Sequence, residues 1–188
     1  MANKHLSLTN SMSNKYEPLR QNRWIMTFLP PSAIPEVGPL DLEELSFAAH
    51  TSNRPTLSFE ESEMHRMNER FYVAGKPTWN ELSMGFYDLI RGDKSASNIM
   101  WKWSNMVYNP ITGAMNYKTS YSTHGTLSLL DPAGNVAETW SLFHLWPREI
   151  VWNELDSASS EVMNVNVTFR YDYAVRGDIK GNDEYYKE

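Results

Sequence analysis

The sequence predicts a mainly β protein, an antiparallel β-sandwich or barrel of six to eight strands with one α-helix on its flank and a long charged hairpin. Three observations carry this. Apolar and polar residues alternate through several segments, most cleanly where Val165, Val167, Phe169, Tyr171 and Tyr173 oppose Asn164, Asn166, Thr168, Arg170 and Asp172. That is the period of a strand with one buried face. A single stretch, from about Ser95 to Tyr108, changes to helical spacing. Seven Trp, ten Tyr and seven Phe give an aromatic load suited to half-buried pleated surfaces and subunit contacts.

The elements follow in chain order. Residues 1–21 are polar, rich in Asn and Ser, and read as an N-terminal arm that a neighbour would order. Trp24, Met26 and Phe28 mark a first strand, stopped by Pro30-Pro31. The Pro- and Gly-containing stretch 31–40 reads as a loop, with Glu36, Asp41, Glu43 and Glu44 making it and its continuation acidic. Leu45, Phe47 and Ala49 alternate and predict a second strand. Residues 57–70 are highly charged, and Phe71 to Gly75 returns from them as a strand. A hairpin of that composition cannot be core, so it stands in solvent or docks on a partner.

Trp79, Leu82, Met84 and Phe86 mark the next strand. In the helix, Ile99, Met100, Trp103, Met106 and Val107 share one face, with Asn98, Lys102 and Asn105 opposite. A Ser or Asn near 95–98 is its expected cap and Asn109-Pro110 its stop. Tyr117 to Leu130 is strand-like and closes on Asp131-Pro132-Ala133-Gly134-Asn135, a hairpin turn. Val136 to Leu145 returns with Trp140, Leu142 and His144 on one side, which makes His144 a packed core or interface residue. An irregular segment is expected after Leu145-Trp146-Pro147 through Ser160, before the closing strand. The domain organisation is then an arm over 1–21, one β domain over 22–175, and a polar acidic tail over 176–188.

Composition narrows function. The absence of Cys excludes disulfides and thiolate chemistry. Seventeen basic against 23 acidic side chains leave a net charge of −6. No basic stripe suited to gripping phosphates is visible, so passing DNA would be repelled or left free to slide. No run nears the roughly 20 apolar residues that cross a bilayer, and the polar first residues lack the centre of a secretory signal. A soluble protein made in a cytoplasm, with no membrane partner, is expected. His5, His50, His65, His124 and His144 are scattered, with no HExxH, GxSxG, phosphate loop or dinucleotide turn. No catalytic residue, cofactor or metal site is therefore expected, and Glu60-Glu61-Ser62-Glu63 reads as a solvated face.

Two stretches carry a family resemblance. Val73-Ala74-Gly75-Lys76-Pro77-Thr78-Trp79-Asn80-Glu81-Leu82-Ser83-Met84 resembles a tail tube signature in which a strand ending in Ala-Gly precedes a Thr-aromatic-acidic cluster. Leu145-Trp146-Pro147-Arg148-Glu149-Ile150, followed by a strand ending Tyr171-Asp172-Tyr173, is similar to the closing part of the same proteins. With the helix between them and the charged hairpin before, the order over roughly 22–175 resembles the tail tube proteins of contractile-tailed bacteriophages. The arm and the acidic 30–44 stretch are longer than that pattern.

The resemblance implies hexameric rings that share an inner β-barrel and stack into a tube inside a sheath. Implied partners are the protein itself, the tail sheath, baseplate and tail-terminator proteins, and viral DNA passing through the lumen without specific binding. The implied location is the virion tail, assembled in the host cytoplasm. It also makes the hairpin around Glu60, Glu61, Glu63, Arg66, Glu69 and Arg70 the candidate inter-ring stacking element. Two alternatives differ in what they predict. A baseplate tube-initiator or tail-completion protein of the same fold would form a single ring. A carbohydrate-binding β-sandwich, using exposed Trp and Tyr, would form no large ring.

Overall fold

The computed structural model describes residues 18–29 and 39–177. Strand β1 (Trp24–Leu29) is followed by helix α1 (Pro39–Ala48), β2 (Ala49–Ser52), β3 (Leu57–Arg66), β4 (Glu69–Trp79) and β5 (Leu82–Tyr87). A 3-10 turn (Gly92–Lys94) leads into α2 (Ala96–Val107) and the one-turn α3 (Lys118–Tyr121). Strands β6 (Thr123–Leu130), β7 (Val136–Trp152), β8 (Asn164–Arg170) and β9 (Tyr173–Arg176) are the last of the described elements.

All named strand pairs are antiparallel. Along the main sheet the order is β1-β6-β7-β8-β5-β2, with β9 also on β7, while β3 and β4 form a separate two-stranded ribbon. The 17-residue β7 serves two layers. Its first half pairs β6 and β9, and its second half pairs β8. The two layers meet over Met26, Phe28, Leu82, Met84, Phe86, Leu127, Leu142, Val165, Val167 and Phe169, all buried. The mainly β class, read from alternation, is what the chain adopts.

Helix α2 closes this core. Ile99, Met100 and Trp103 are buried at the predicted spacing, and the Ser95 side chain caps the helix by accepting from the Asn98 amide. Trp103 packs edge-on to Phe28 at 6.1 Å and against Phe169 at 5.7 Å. Its indole N–H donates to the Tyr121 carbonyl at 2.8 Å, tying α2 to α3.

Several expectations are corrected. Leu45, Phe47 and Ala49 are not a strand: Leu45 lies in α1, and Ala49 only opens β2. Leu42, Leu45 and Ala48, three apart, are buried, while Phe47 is 84% exposed. An i, i+3 stripe facing the core wins over the local alternation. Of the loop expected over 31–40, residues up to 38 lie outside the described set, and α1 begins at Pro39. The strand expected from Tyr117 begins only at Thr123, and Trp79 ends the hairpin strand β4, not β5.

The irregular segment expected after Leu145-Trp146-Pro147 is instead the continuation of β7 to Trp152. Pro147 pairs with Phe169 beside a register shift at Pro147/Glu149, the kind of ladder interruption that accommodates a residue lacking an N–H. Irregular chain is confined to 153–163. Tyr173 does not continue the Val165–Tyr171 face. The chain crosses between layers at Asp172, and Tyr173 in β9 stacks on Phe143 at 4.5 Å.

His144 does not share the inward face expected for it with Leu142. Between Gly125↔Leu142 and Thr123↔Leu145, β7 carries one residue more than β6. His144 sits in this bulge at φ +55 and is exposed. The extra residue resets the alternation so that Leu142 and Leu145 both point inward. Opposite, a Cβ on Gly125 would meet Met26 Cε at 2.6 Å and Leu145 Cδ2 at 3.1 Å, so a larger residue there would make these two side chains shift.

Candidate assembly surfaces

The β3–β4 ribbon projects from the domain with every residue of β3 exposed. Its base is held by Trp79, which lies 6.1 Å from the ring of buried Tyr171. Its tip turns through Met67 at φ +54. In a ribbon, directly paired residues share a face. The register therefore divides the ribbon into two unlike surfaces.

One surface carries Glu61 opposite Ala74, Glu63 opposite Tyr72, and His65 opposite Arg70. The other carries Ser62 opposite Val73, Met64 opposite Phe71, and Arg66 opposite Glu69. The six predicted stacking residues thus all lie on the hairpin without forming one patch. Glu61, Glu63 and Arg70 share the first surface. Arg66 and Glu69 lie on the second, with Glu60 on the same side at a bulge where its Cβ crowds Gly75.

The charges are partly spent within the ribbon. Glu63 lies 3.2 Å from the Arg70 guanidinium and 3.8 Å from His65. By contrast, Val73, Met64 and Phe71 are half-exposed side by side, and Met67 is 97% exposed at the tip. Sequence reading saw mixed charge in this segment. The apolar stripe emerges only once the register of the returning strand is fixed.

Other surfaces also lack cover. Among the described residues, β1, β2 and β9 each pair on one side alone, leaving sheet rims of the type that seek another strand. A groove of about 320 Å³ runs between α2 and the second half of β7, lined by Trp101, Tyr108, Pro110, Trp146, Pro147 and Trp152 among others. Trp101 and Trp152 stand 6.1 Å apart there, T-shaped and about half-exposed. A larger cleft of about 780 Å³ opens between the two layers, beside β1 and β2.

Among the described residues, no three His, Asp or Glu side chains converge in a way that could hold a metal ion. No helix of the described part is long and apolar enough to cross a membrane. The titratable groups pair locally: Glu44 with Arg91 at 2.5 Å, and Glu81 with Arg148. Buried Glu138 accepts from the Trp140 indole and pairs with Arg54 at 3.5 Å and Arg176 at 3.4 Å.

A two-layer β domain with open rims, a flanking helix and a projecting ribbon is a subunit shape suited to self-assembly. Residues 88–175 match the family model described as T4-like virus tail tube protein gp19. This part of the chain, 88 of its 188 residues, is similar to that tail tube family. The match covers α2 through β9, including Leu145-Trp146-Pro147 and Tyr171-Asp172-Tyr173. The hairpin and the Val73–Met84 signature lie before it.

Solved structures share the fold. A chain of the anti-feeding prophage baseplate, six-fold symmetrised, superposes with a TM-score of 0.66 at 17% identity, covering 87% of this chain and 98% of that one. A chain of the extended sheath-tube complex of the PVC extracellular contractile injection system gives 0.63 at 15% identity, covering 91% and 98%. A chain of the anti-feeding prophage tube-terminating cap gives 0.63 at 15%, covering 87% and 93%. No curated protein sequence matches the chain.

Proposed function

We propose that copies of this chain close into six-membered rings and stack into a hollow tube inside a contractile sheath, meeting baseplate and terminator proteins at its ends. The observation that carries this is a pair of unsatisfied features among the described residues, three strands paired on one side only and a largely exposed ribbon. A cyclic arrangement can pair every rim, and an end-on contact can cover the ribbon. The similar folds come from a baseplate, a sheath-tube complex and a tube-terminating cap of contractile systems.

In this reading the ribbon is the inter-ring contact. Glu60, Glu61, Glu63, Arg66, Glu69 and Arg70 set orientation, since exposed charges contribute register more than affinity. The Met64–Phe71–Val73 stripe supplies the buried area. The outward residues of β8, namely Asn164, Asn166 and Thr168, are uncharged and suit a wet wall. An acidic protein of this kind lets viral DNA pass without gripping it. Assembly in the host cytoplasm into a virion tail follows, and the role is structural.

Negative-stain microscopy of the purified protein tests the proposal. Long hollow tubes support the repeating subunit. Isolated six-fold rings that never elongate favour an initiator at the baseplate. A monomer that stays dispersed at high concentration, with or without a nucleating ring, overturns both.

A further inference from the structure

The ribbon and the 153–163 loop stand at opposite ends of one sheet layer. β3 and β4 prolong the β2–β5 pair, with the Asn53 amide donating to the Ser83 carbonyl and the Asn80 amide to the Thr56 carbonyl at the junction. At the far end of β5, Tyr87 pairs with Asn164, and Val165 pairs with Trp152 at the close of β7. There the Asp88 amide donates to the Met163 carbonyl at 2.9 Å, which fixes the end of the loop.

This far end is apolar and acidic. Leu155, Val162 and Met163 are each more than half exposed. Exposed apolar side chains are ordinary when scattered, but these three share one loop whose charges all have one sign. Glu154, Asp156 and Glu161 lie in it without a Lys or Arg. None of the three pairs with a basic side chain among the described residues.

The ribbon tip has the complementary make-up. Met67 stands free at the turn, and Met64 and Phe71 lie just below it on the surface that also carries Arg66. Residues 64–71 hold two arginines against one glutamate. Arg70 is occupied by Glu63 at 3.2 Å, whereas Arg66 has no carboxylate in ion-pair range among the described residues. Tip against tip would bring like charges together, while tip against loop brings opposite ones. A contact joining one end of a copy to the opposite end of the next is heterologous and repeats along an axis.

We propose that the 153–163 loop is the acceptor for the ribbon tip of a second copy. Met64, Met67 and Phe71 cover Leu155, Val162 and Met163, and Arg66 sits between the carboxylates of Glu154 and Glu161. This rests on the proposed ring stacking and names the surface that the ribbon meets.

The lack of native Cys allows a crosslinking test in the full chain. Met67→Cys protein, carrying a tag, is mixed with Val162→Cys protein and mildly oxidised. A parallel mixture uses Val136→Cys, an exposed control position at the start of β7. Phe71→Cys with Leu155→Cys repeats the measurement at a second pair, against a defect at either first position. Docking predicts mixed disulfide dimers about tenfold faster with the loop than with the control, because contact raises the effective concentration. Adding Arg66→Glu to the tip should remove that advantage, and Glu154→Arg with Glu161→Arg in the loop should restore it.

Assemblies that crosslink equally to loop and control overturn this inference and leave ring stacking standing. A chain that stays monomeric and crosslinks to neither overturns both. A loop preference indifferent to Arg66→Glu, or a loss that the reversed loop fails to restore, overturns the charge pairing on which the choice of acceptor rests.

Discussion

His144 Nδ1 lies 3.0 Å from Asp172 Oδ2, and Lys118 Nζ holds the other carboxylate oxygen at 2.5 Å. The Asp172 amide donates to the Phe143 carbonyl at 3.0 Å. One aspartate therefore ties together the bulge of β7, the β8–β9 crossover and the short helix α3. All three are points where the chain changes layer or direction. Asp172→Ala should lower stability by about 1 kcal/mol, since the partners are half-exposed and screened. Urea unfolding measures this, and an unchanged midpoint would show the bulge to be self-supporting.

Trp103 anchors α2 in the aromatic core. Trp103→Ala should cost about 3–5 kcal/mol through lost burial and the cavity left behind. Trp103→Phe keeps one six-membered ring but removes the pyrrole part of the indole and its hydrogen bond to the Tyr121 carbonyl, so its loss should be smaller, about 2 kcal/mol. Denaturant titration of the two variants ranks them; equal losses would show that the retained six-membered ring contributes nothing to the anchoring.

His50 stacks on Tyr87 at 4.0 Å, and its Nδ1 is enclosed without a hydrogen-bond partner. Burial lowers its pKa below the ordinary histidine value. The unfolded chain then takes up a proton at a pH where the folded chain still holds a neutral imidazole. Stability contributed by this group is present above about pH 6.5 and falls as the pH drops below it. His50→Phe keeps the stacking and should flatten that part of the pH profile of urea midpoints. A profile identical to that of the unaltered chain would rule His50 out as the source.

On the ribbon, Met64→Ser with Phe71→Ser should leave the isolated subunit's stability within about 0.5 kcal/mol, because both side chains are solvent-facing. The same pair should abolish or shorten tubes in microscopy. Glu60→Gln with Glu61→Gln should weaken assembly less, and make it less sensitive to salt. Normal tubes from the serine pair would remove the apolar stripe from the contact.

Much of the fold was legible locally. Alternation at Trp24–Phe28, Leu82–Phe86 and Val165–Tyr171, and the 3.6-residue period of Ile99, Met100 and Trp103, each depend on one element facing one core. Where a residue's partner is remote, local pattern misled. Leu45 and Phe47 alternate like a strand, yet only the crevice beside β1 and α2 shows that Leu42 and Leu45 belong inside. Pro147 reads as a stop, yet β8 offers a register shift that receives it. The ribbon's charges were visible, whereas its apolar stripe needed the pairing of Met64 with Phe71.

The sequence by itself determined the mainly β class, the capped helix, the projecting hairpin and the absence of a thiol, because each follows from composition or nearest-neighbour periodicity. Tertiary structure alone decided that β7 bends through His144 to serve two layers, that Asp172 fastens the bend, and that a cleft opens between β1 and β2. Those features join residues tens of positions apart, and such distances close only when the layers pack.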